Sequence, residues 1–277
     1  MEKGAFILFG GWLLAFVRII GIFGQAPIWG NQRVPRQVLP AMAAILAIIV
    51  FPFLKIPENL PCDTIGFLFL LGLQYLIGRV IGYISFLVLS ACQFAGQLLD
   101  IQMGLSSAAS YDPSMHGPVN LIWRFEFYFA MTLYLVLNFD HEMIRTIFKS
   151  FEIIPLNGFS YPESMVYAFR GSDGLMKGLG SLSALTGNIF FLAIKLSAPV
   201  LAALFIVQIA LGMMARVAPQ MNVFMLSFPL NIGIGLIIFI VSLTYISGLL
   251  GSNEGLFIQN FNWIDNIMKM MKVKAGG

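Results

Sequence analysis

Charge is scarce in this chain of 277 residues: only 10% are Asp, Glu, Lys or Arg, and the formal balance is +3. Sixteen bases against thirteen acids, with no long basic tract, leave nothing to hold a phosphate backbone, so nucleic acid is excluded as a partner. Cysteine is almost absent. Cys62 and Cys92 have neither the spacing of a metal clip nor the density of a disulfide scaffold, and read as buried thiols. His116 and His141 are the only histidines, each without a nearby Cys or second His, and they read as polar loop residues. The chain contains no His-Glu-x-x-His, no Gly-x-Ser-x-Gly and no phosphate-binding glycine-lysine motif. The expectation is no enzyme, no metal and no cofactor. Also missing is an Ala-x-Ala cleavage site after the apolar run behind Lys3, and Arg18 interrupts that run. It is therefore read as a retained first helix and not as a signal peptide.

What the chain has instead is hydrophobicity: 58% of residues are apolar and the mean hydropathy is +0.86. Runs such as Phe6 to Phe23 and Leu236 to Leu250 leave too little polar surface to cover a soluble core. Burial in a bilayer, or inside a large complex, is required. Prolines and charge clusters cut the sequence into segments of roughly 20 residues, the length that crosses a membrane. Helices are predicted from about Gly4 to Gln25 and Gln37 to Phe53, joined by a turn-rich link from Pro27 to Pro35. A third runs from Thr64 to about Asp100, too long for one simple span, so it must tilt, kink or project. The segment from Gly104 to Pro118 is rich in Ser, Gly and Pro, and Asp112-Pro113 disfavours helix there. A fourth helix is predicted from Val119 to Phe151, then a polar link from Glu152 to Gly180, with Gly174 and Gly178 as turn residues. A second hairpin follows, Ser181 to Ala215 and Asn222 to Leu249, turning at Arg216 to Gln220. The stretch from Gly255 to Lys274 reads as a short, weakly amphipathic tail.

Two features do not suit a simple lipid-facing bundle. The charge asymmetry that orients membrane proteins is weak: Arg33 and Arg36 favour the cytoplasm for the first link, but the region from Asp140 to Lys177 holds five acids against four bases. In addition Arg18, Arg79, Asp100, Arg124, Glu126, Lys195 and Arg216 sit inside apolar stretches. Each costs about 2.5–3.5 kcal/mol or more at a bilayer centre unless it is paired, snorkels or faces water. Helical mass packed against other subunits around an aqueous lumen resolves both. Gly78 and Gly82 share a helical face and permit close helix approach. The small residues from Gly104 onward make a segment able to enter a pore, since irregular backbone at membrane depth needs protein or water around it. The alternative reading is a secondary transporter with Arg79, Asp100, Glu126 and Lys195 around a small substrate, but no convincing inverted repeat accompanies it. A membrane hydrolase would need paired catalytic side chains, and none are found.

Four stretches together resemble one family: Arg18-Ile19-Ile20-Gly21 with Pro27 and Val34-Pro35; Gly96 to Gly104 running on to Asp112-Pro113; Lys195 to Pro199; and Leu211 to Phe224. They are similar to FliR, whose injectisome counterpart is called SctT, and the likeness covers roughly Gly4 to Leu250. Asp140, where glycine is expected, and Asn231, where lysine is expected, depart from the pattern. No large domain follows Leu250, which suits a stand-alone FliR.

The resemblance implies an all-α subunit of long kinked hairpins in the bacterial inner membrane, at the flagellar basal body. One copy would join several FliP and FliQ homologues, and a FlhB homologue, around a channel for unfolded exported flagellar proteins. It further implies a FliP-like part over residues 1–180, a FliQ-like hairpin over 181–250 and a tail over 251–277. The family's plug falls on the loop 104–120, with Gly104, Ser106, Ser107, Ala108, Ala109, Ser110, Asp112 and Pro113. Arg18, Arg79, Asp100, Arg124, Lys195, Arg216, Gln220 and Asn222 become candidates for subunit packing or buried polar contacts, with Arg216 and Gln220 bonding neighbours at the last turn.

Overall fold

The computed structural model describes residues 2–30, 35, 37–54, 64–107, 120–156, 172–252 and 255–271. Among them there are helices and no strand, as the sequence predicts: α1 Glu2–Phe23, α2 Val38–Val50, α3 Thr64–Gln102, α4 Leu121–Val136, α5 Phe139–Ile153, α6 Ser172–Val217, α7 Val223–Gly251 and α8 Leu256–Met271. Short 3-10 turns follow α2 at Phe51–Phe53 and α3 at Leu105–Ser107. At 1.5 Å per residue, α3 with 39 residues is about 58 Å long and α6 with 46 about 69 Å, well beyond a hydrocarbon layer of about 30 Å. Stretches of three of these regions are long and apolar enough to cross a bilayer: Ile65–Gln102, Thr186–Val217 and Val223–Lys269. Pro199 lies inside α6 and Pro229 inside α7, so each of these helices continues past a residue with no N–H for the carbonyl four positions back.

Three boundaries differ from those predicted. The single fourth helix is two, α4 and α5, broken at Asn138 with φ 57 and ψ 31. Asparagine is one of the few non-glycine residues that tolerate this left-handed conformation, and it stands where the apolar run gives way to the mixed-charge one. The hairpin helix begins at Ser172 instead of Ser181, with Gly174 and Gly178 inside it. A glycine costs about 1 kcal/mol of helix propensity, too little to stop a helix that a long apolar stretch extends. The tail is a firmly one-sided helix: Leu256, Phe257, Asn260, Ile264, Ile267 and Met268 of α8 are buried, at spacings that share one face. Its asparagines depress the average hydropathy, yet Asn262 and Asn266 fall on the exposed side.

The chain divides into two compact units. One comprises Met1–Leu87, Asn138–Leu185 and Gln259–Gly277. Here α1 crosses α3 in close backbone contact: a Cβ on Gly78 would collide with the Arg18 carbonyl, and one on Gly82 with the Ile22 carbonyl. The two-glycine face read from the sequence is this crossing. α8 is fastened to the same unit by Asn260, whose Nδ2 donates to the Ile84 carbonyl (2.8 Å), by Phe139 stacked on Phe261, and by a Lys149–Asp265 ion pair.

The other unit comprises Val88–Leu137 and Thr186–Ile258. In it α7 buries a single stripe, Asn231, Gly235, Phe239, Ser242, Ile246 and Leu250, every third or fourth residue. Phe239 meets Phe125 of α4 edge to face at 5.7 Å, and Phe94 of α3 meets Phe190 of α6 at 4.9 Å. Outside those stripes both hairpin helices expose large apolar side chains, among them Phe191, Phe205 and Ile206 on α6 and Ile237, Ile240 and Val241 on α7. Such continuous apolar surface requires lipid or neighbouring protein to cover it.

Candidate functional site

Among the described residues Arg18 and Asp100 are fully buried charged side chains without an ion pair, and each is placed against a helix end. Arg18 of α1 is 0% exposed. Its Nε donates to Gln74 Oε1 (2.6 Å), and its Nη1 donates to the carbonyls of Ser150 (3.0 Å) and Ile154 (2.8 Å). The guanidinium carbon lies 4.4 Å from the centre of the Phe151 ring. The two carbonyls belong to the last turn of α5, where helix groups lack partners and the dipole is negative. A cation with a planar fork of donors is the side chain suited to that position.

Asp100, at the far end of α3, makes the converse arrangement. It is 0% exposed; Oδ1 accepts the N–H of Ile122 and Oδ2 the N–H of Trp123, both at 3.0 Å. These are orphan donors at the start of α4, and the residue in the cap position, Asn120, contributes no side-chain bond to them. The carboxylate thus caps α4 from a different helix. Gly96, one turn earlier on α3, makes this possible, because a Cβ there would stand 2.5 Å from the Trp123 Cα. α3 and α4 touch at this point, and the loop 104–120 leaves from one and returns to the other. Asp100 fastens its two ends.

Glu126 stands at the same crossing: a Cβ on Gly96 would be 3.2 Å from its Oε2. It is 1% exposed, and neither carboxyl oxygen has a hydrogen-bond partner among the described residues. The two acids that the sequence sets on different segments do come together here. Neither Asp100 nor Glu126 forms an ion pair among the described residues, and Arg124 is exposed. Sequence reasoning counted Glu126 among the misplaced charges and in the transporter alternative, but left it out of the candidates for subunit packing or buried polar contacts; the available signal was Gly96, a gap in the helix surface one turn before Asp100.

At the start of the loop, Gly104 has φ +81, a left-handed conformation that suits glycine, and the backbone continues as the 3-10 turn Leu105–Ser107 that contains Ser106 and Ser107. Ala108, Ala109, Ser110, Asp112 and Pro113 lie outside the described residues. The remaining candidates are less embedded. Arg79 is half-buried, with Nη1 donating to the Gly24 carbonyl at 3.5 Å. Lys195, Arg216, Gln220 and Asn222 are exposed. Asn222 caps α7, its Oδ1 accepting the Met225 N–H at 3.3 Å. Arg216 occupies the last turn of α6, where the dipole favours a cation. For a small-molecule transporter the set is poorly disposed, since both Asp100 oxygens are taken by backbone and Lys195 points away from the core.

The fold and these buried groups define a helical membrane protein whose polar side chains serve helix ends and crossings. Residues 9–253 match the family model described as "Bacterial export proteins, family 1". Flagellar biosynthetic protein FliR of Bacillus subtilis (strain 168) is 33% identical over 243 residues, spanning 86% of this chain and 88% of its own length. The proteins of the same name from Escherichia coli (strain K12) and Aquifex aeolicus (strain VF5) are each 27% identical, over 253 and 239 residues, covering 91% and 85% of this chain and 90% and 86% of theirs. The chain belongs to the FliR family of flagellar export proteins. Its role is in flagellar export, as part of the export apparatus and in a membrane.

Proposed function

We propose that the chain is one subunit of the flagellar protein-export gate, closing with its loop 104–120 a channel that it forms with FliP and FliQ homologues. On this reading residues 1–180 pack as a FliP-like part, residues 181–250 as a FliQ-like hairpin, and a FlhB homologue joins the assembly. The complex sits in the inner membrane at the basal body, and unfolded flagellar proteins pass through it. The chain contributes wall and closure, and no catalysis.

The observation that carries the reading is the Asp100 clamp. A loop meant to block a lumen and then withdraw needs a fixed base and a tip with few contacts, because a gate is drawn from the low-stability end of a structure. The base is provided by Asp100 bonded to the backbone of Ile122 and Trp123 across the Gly96 contact. The tip sequence from Ser106 to Ser110 contains only small side chains. The exposed apolar faces of α6 and α7 support a chain that has neighbours around it. Arg216 and Gln220, exposed beside the turn between those helices, are the groups to bond neighbouring subunits or loop carbonyls.

Co-expression of the tagged chain with the FliP and FliQ homologues of the same genome, gentle purification and native mass spectrometry test the assembly. One copy retained among several partner subunits is expected. A chain that purifies alone, folded in detergent, would return the advantage to a small-substrate transporter.

A further inference from the structure

Glu126 is a buried ionisable group that has no part in the Asp100 clamp. It lies at the α3–α4 crossing, and neither of its carboxyl oxygens has a hydrogen-bond partner among the described residues. Two titratable groups face it among those residues, Asp100 and the buried thiol of Cys92, both on α3. Asp100 accepts a backbone N–H at each oxygen, the arrangement of a carboxylate, and so repels a second negative charge beside it. No cation offsets that repulsion. The bases among the described residues of this unit are Arg124, Lys195 and Arg216, all exposed and none paired with Glu126. α7, which packs on α4, carries no charged residue at all. An ionised carboxyl without partners costs far more to bury than the neutral acid. α4 lies outside the three apolar stretches long enough to cross a bilayer. There burial, and after it the Asp100 charge, push the Glu126 carboxyl from its ordinary 4.5 up to about 8.

We propose that Glu126 is a proton-binding site that sets how closely α4 packs on α3: the contact at Gly96 holds it as the neutral acid, and release of the proton drives the two helices apart there. The contact has no slack to absorb a new charge, since a Cβ on Gly96 would stand 2.5 Å from the Trp123 Cα and 3.2 Å from Glu126 Oε2. Water reaches an ionised Glu126 only if the two backbones separate. Trp123 and Glu126 are three residues apart and share that side of α4, so the separation also strains the bonds from Ile122 and Trp123 to Asp100. Because the packed form is the neutral one, the stability that Glu126 contributes is full below about pH 4.5, declines as pH rises and is lost above about 8. A group that changes charge close to neutral pH couples the packing of this crossing to the supply of protons. The crossing titrates in this way whether or not the loop 104–120 closes a channel.

Hydrogen exchange of the Ile122 and Trp123 amides in the purified complex reads the contact directly. Corrected for the chemical exchange rate, protection of the peptide that carries them is expected to fall at least about tenfold from about pH 6 to about pH 9 in the wild-type chain. It should stay level in Glu126→Gln, which keeps the shape of the side chain and cannot ionise. Glu126→Leu, equally unable to ionise, should give the same level protection. The infrared carbonyl stretch of a protonated carboxylic acid reports the proton itself. The wild-type chain should show a band at neutral pH that Glu126→Gln lacks, and Asp100→Asn, by removing the like charge, should move its loss to lower pH. Protection that stays level in the wild-type chain, or falls equally in both Glu126 variants, overturns the proposal. An ionised Glu126 at about pH 6 does the same.

Discussion

Arg18 and Asp100 are buried to the same extent in different units of the molecule, and both answer the cost of burial by facing a helix end of opposite polarity. Their surroundings differ. Arg18 has a side-chain amide, two carbonyls and an aromatic face, in a unit where α1 and α3 meet backbone to backbone at Gly78 and Gly82. Asp100 has two backbone donors, and next to it Glu126 has no hydrogen-bond partner among the described residues. In the first arrangement one guanidinium ties α1 to α3 and to the end of α5. The second holds the roots of a loop with two hydrogen bonds and leaves both carboxyl oxygens of Glu126 without a hydrogen-bond partner among the described residues, whereas the first leaves one nitrogen of Arg18 and one of Gln74 so while their other polar atoms are bonded.

Substitutions at the two nodes should therefore differ in size and in kind. Removing the guanidinium with Arg18→Ala strands the carbonyls and Gln74 in an apolar interior; a loss of about 3–5 kcal/mol is expected, seen as a collapse in the amount of chain that assembles. Arg18→Lys, with a point charge in place of the fork, should recover only part of it. Gly78→Leu attacks the same unit through its crossing and should cost about 1–3 kcal/mol by overpacking, measured as a lowered melting temperature of the purified complex. Asp100→Ala removes a cap worth about 0.5–2 kcal/mol, so assembly should survive while the closed channel begins to pass ions; Asp100→Asn, which keeps one acceptor, should leak less. The smallest effect belongs to Glu126→Leu, within about 1 kcal/mol of wild type, because no bond is lost and an unpaired polar group is removed. A large loss at that position would mean that Glu126 has a partner in the assembled gate, and the contrast between the nodes would disappear.

Much of this was legible in the residues. Hydropathy and proline spacing give the helices, the Gly78–Gly82 repeat gives a face for close helix approach without naming α1 as the partner, and the misplaced charges mark Arg18 and Asp100 as groups needing partners. What those partners are was not legible, because they are backbone atoms: the carbonyls of Ser150 and Ile154, and the N–H groups of Ile122 and Trp123, have no side-chain signature and lie 132, 136, 22 and 23 positions away. The same applies to the break at Asn138, a single dihedral within a continuous helical pattern. α8 was underrated because an average over the segment mixes its buried isoleucines with outward-facing asparagines, although their periodicity was there to be read.

The central claim is that the loop 104–120 closes a channel, and its most direct measurement is ion conductance through the assembled complex with residues 106–110 deleted. The account predicts a complex of normal composition whose membranes leak ions that wild-type membranes retain. Conductance unchanged from wild type in a fully assembled complex would contradict it.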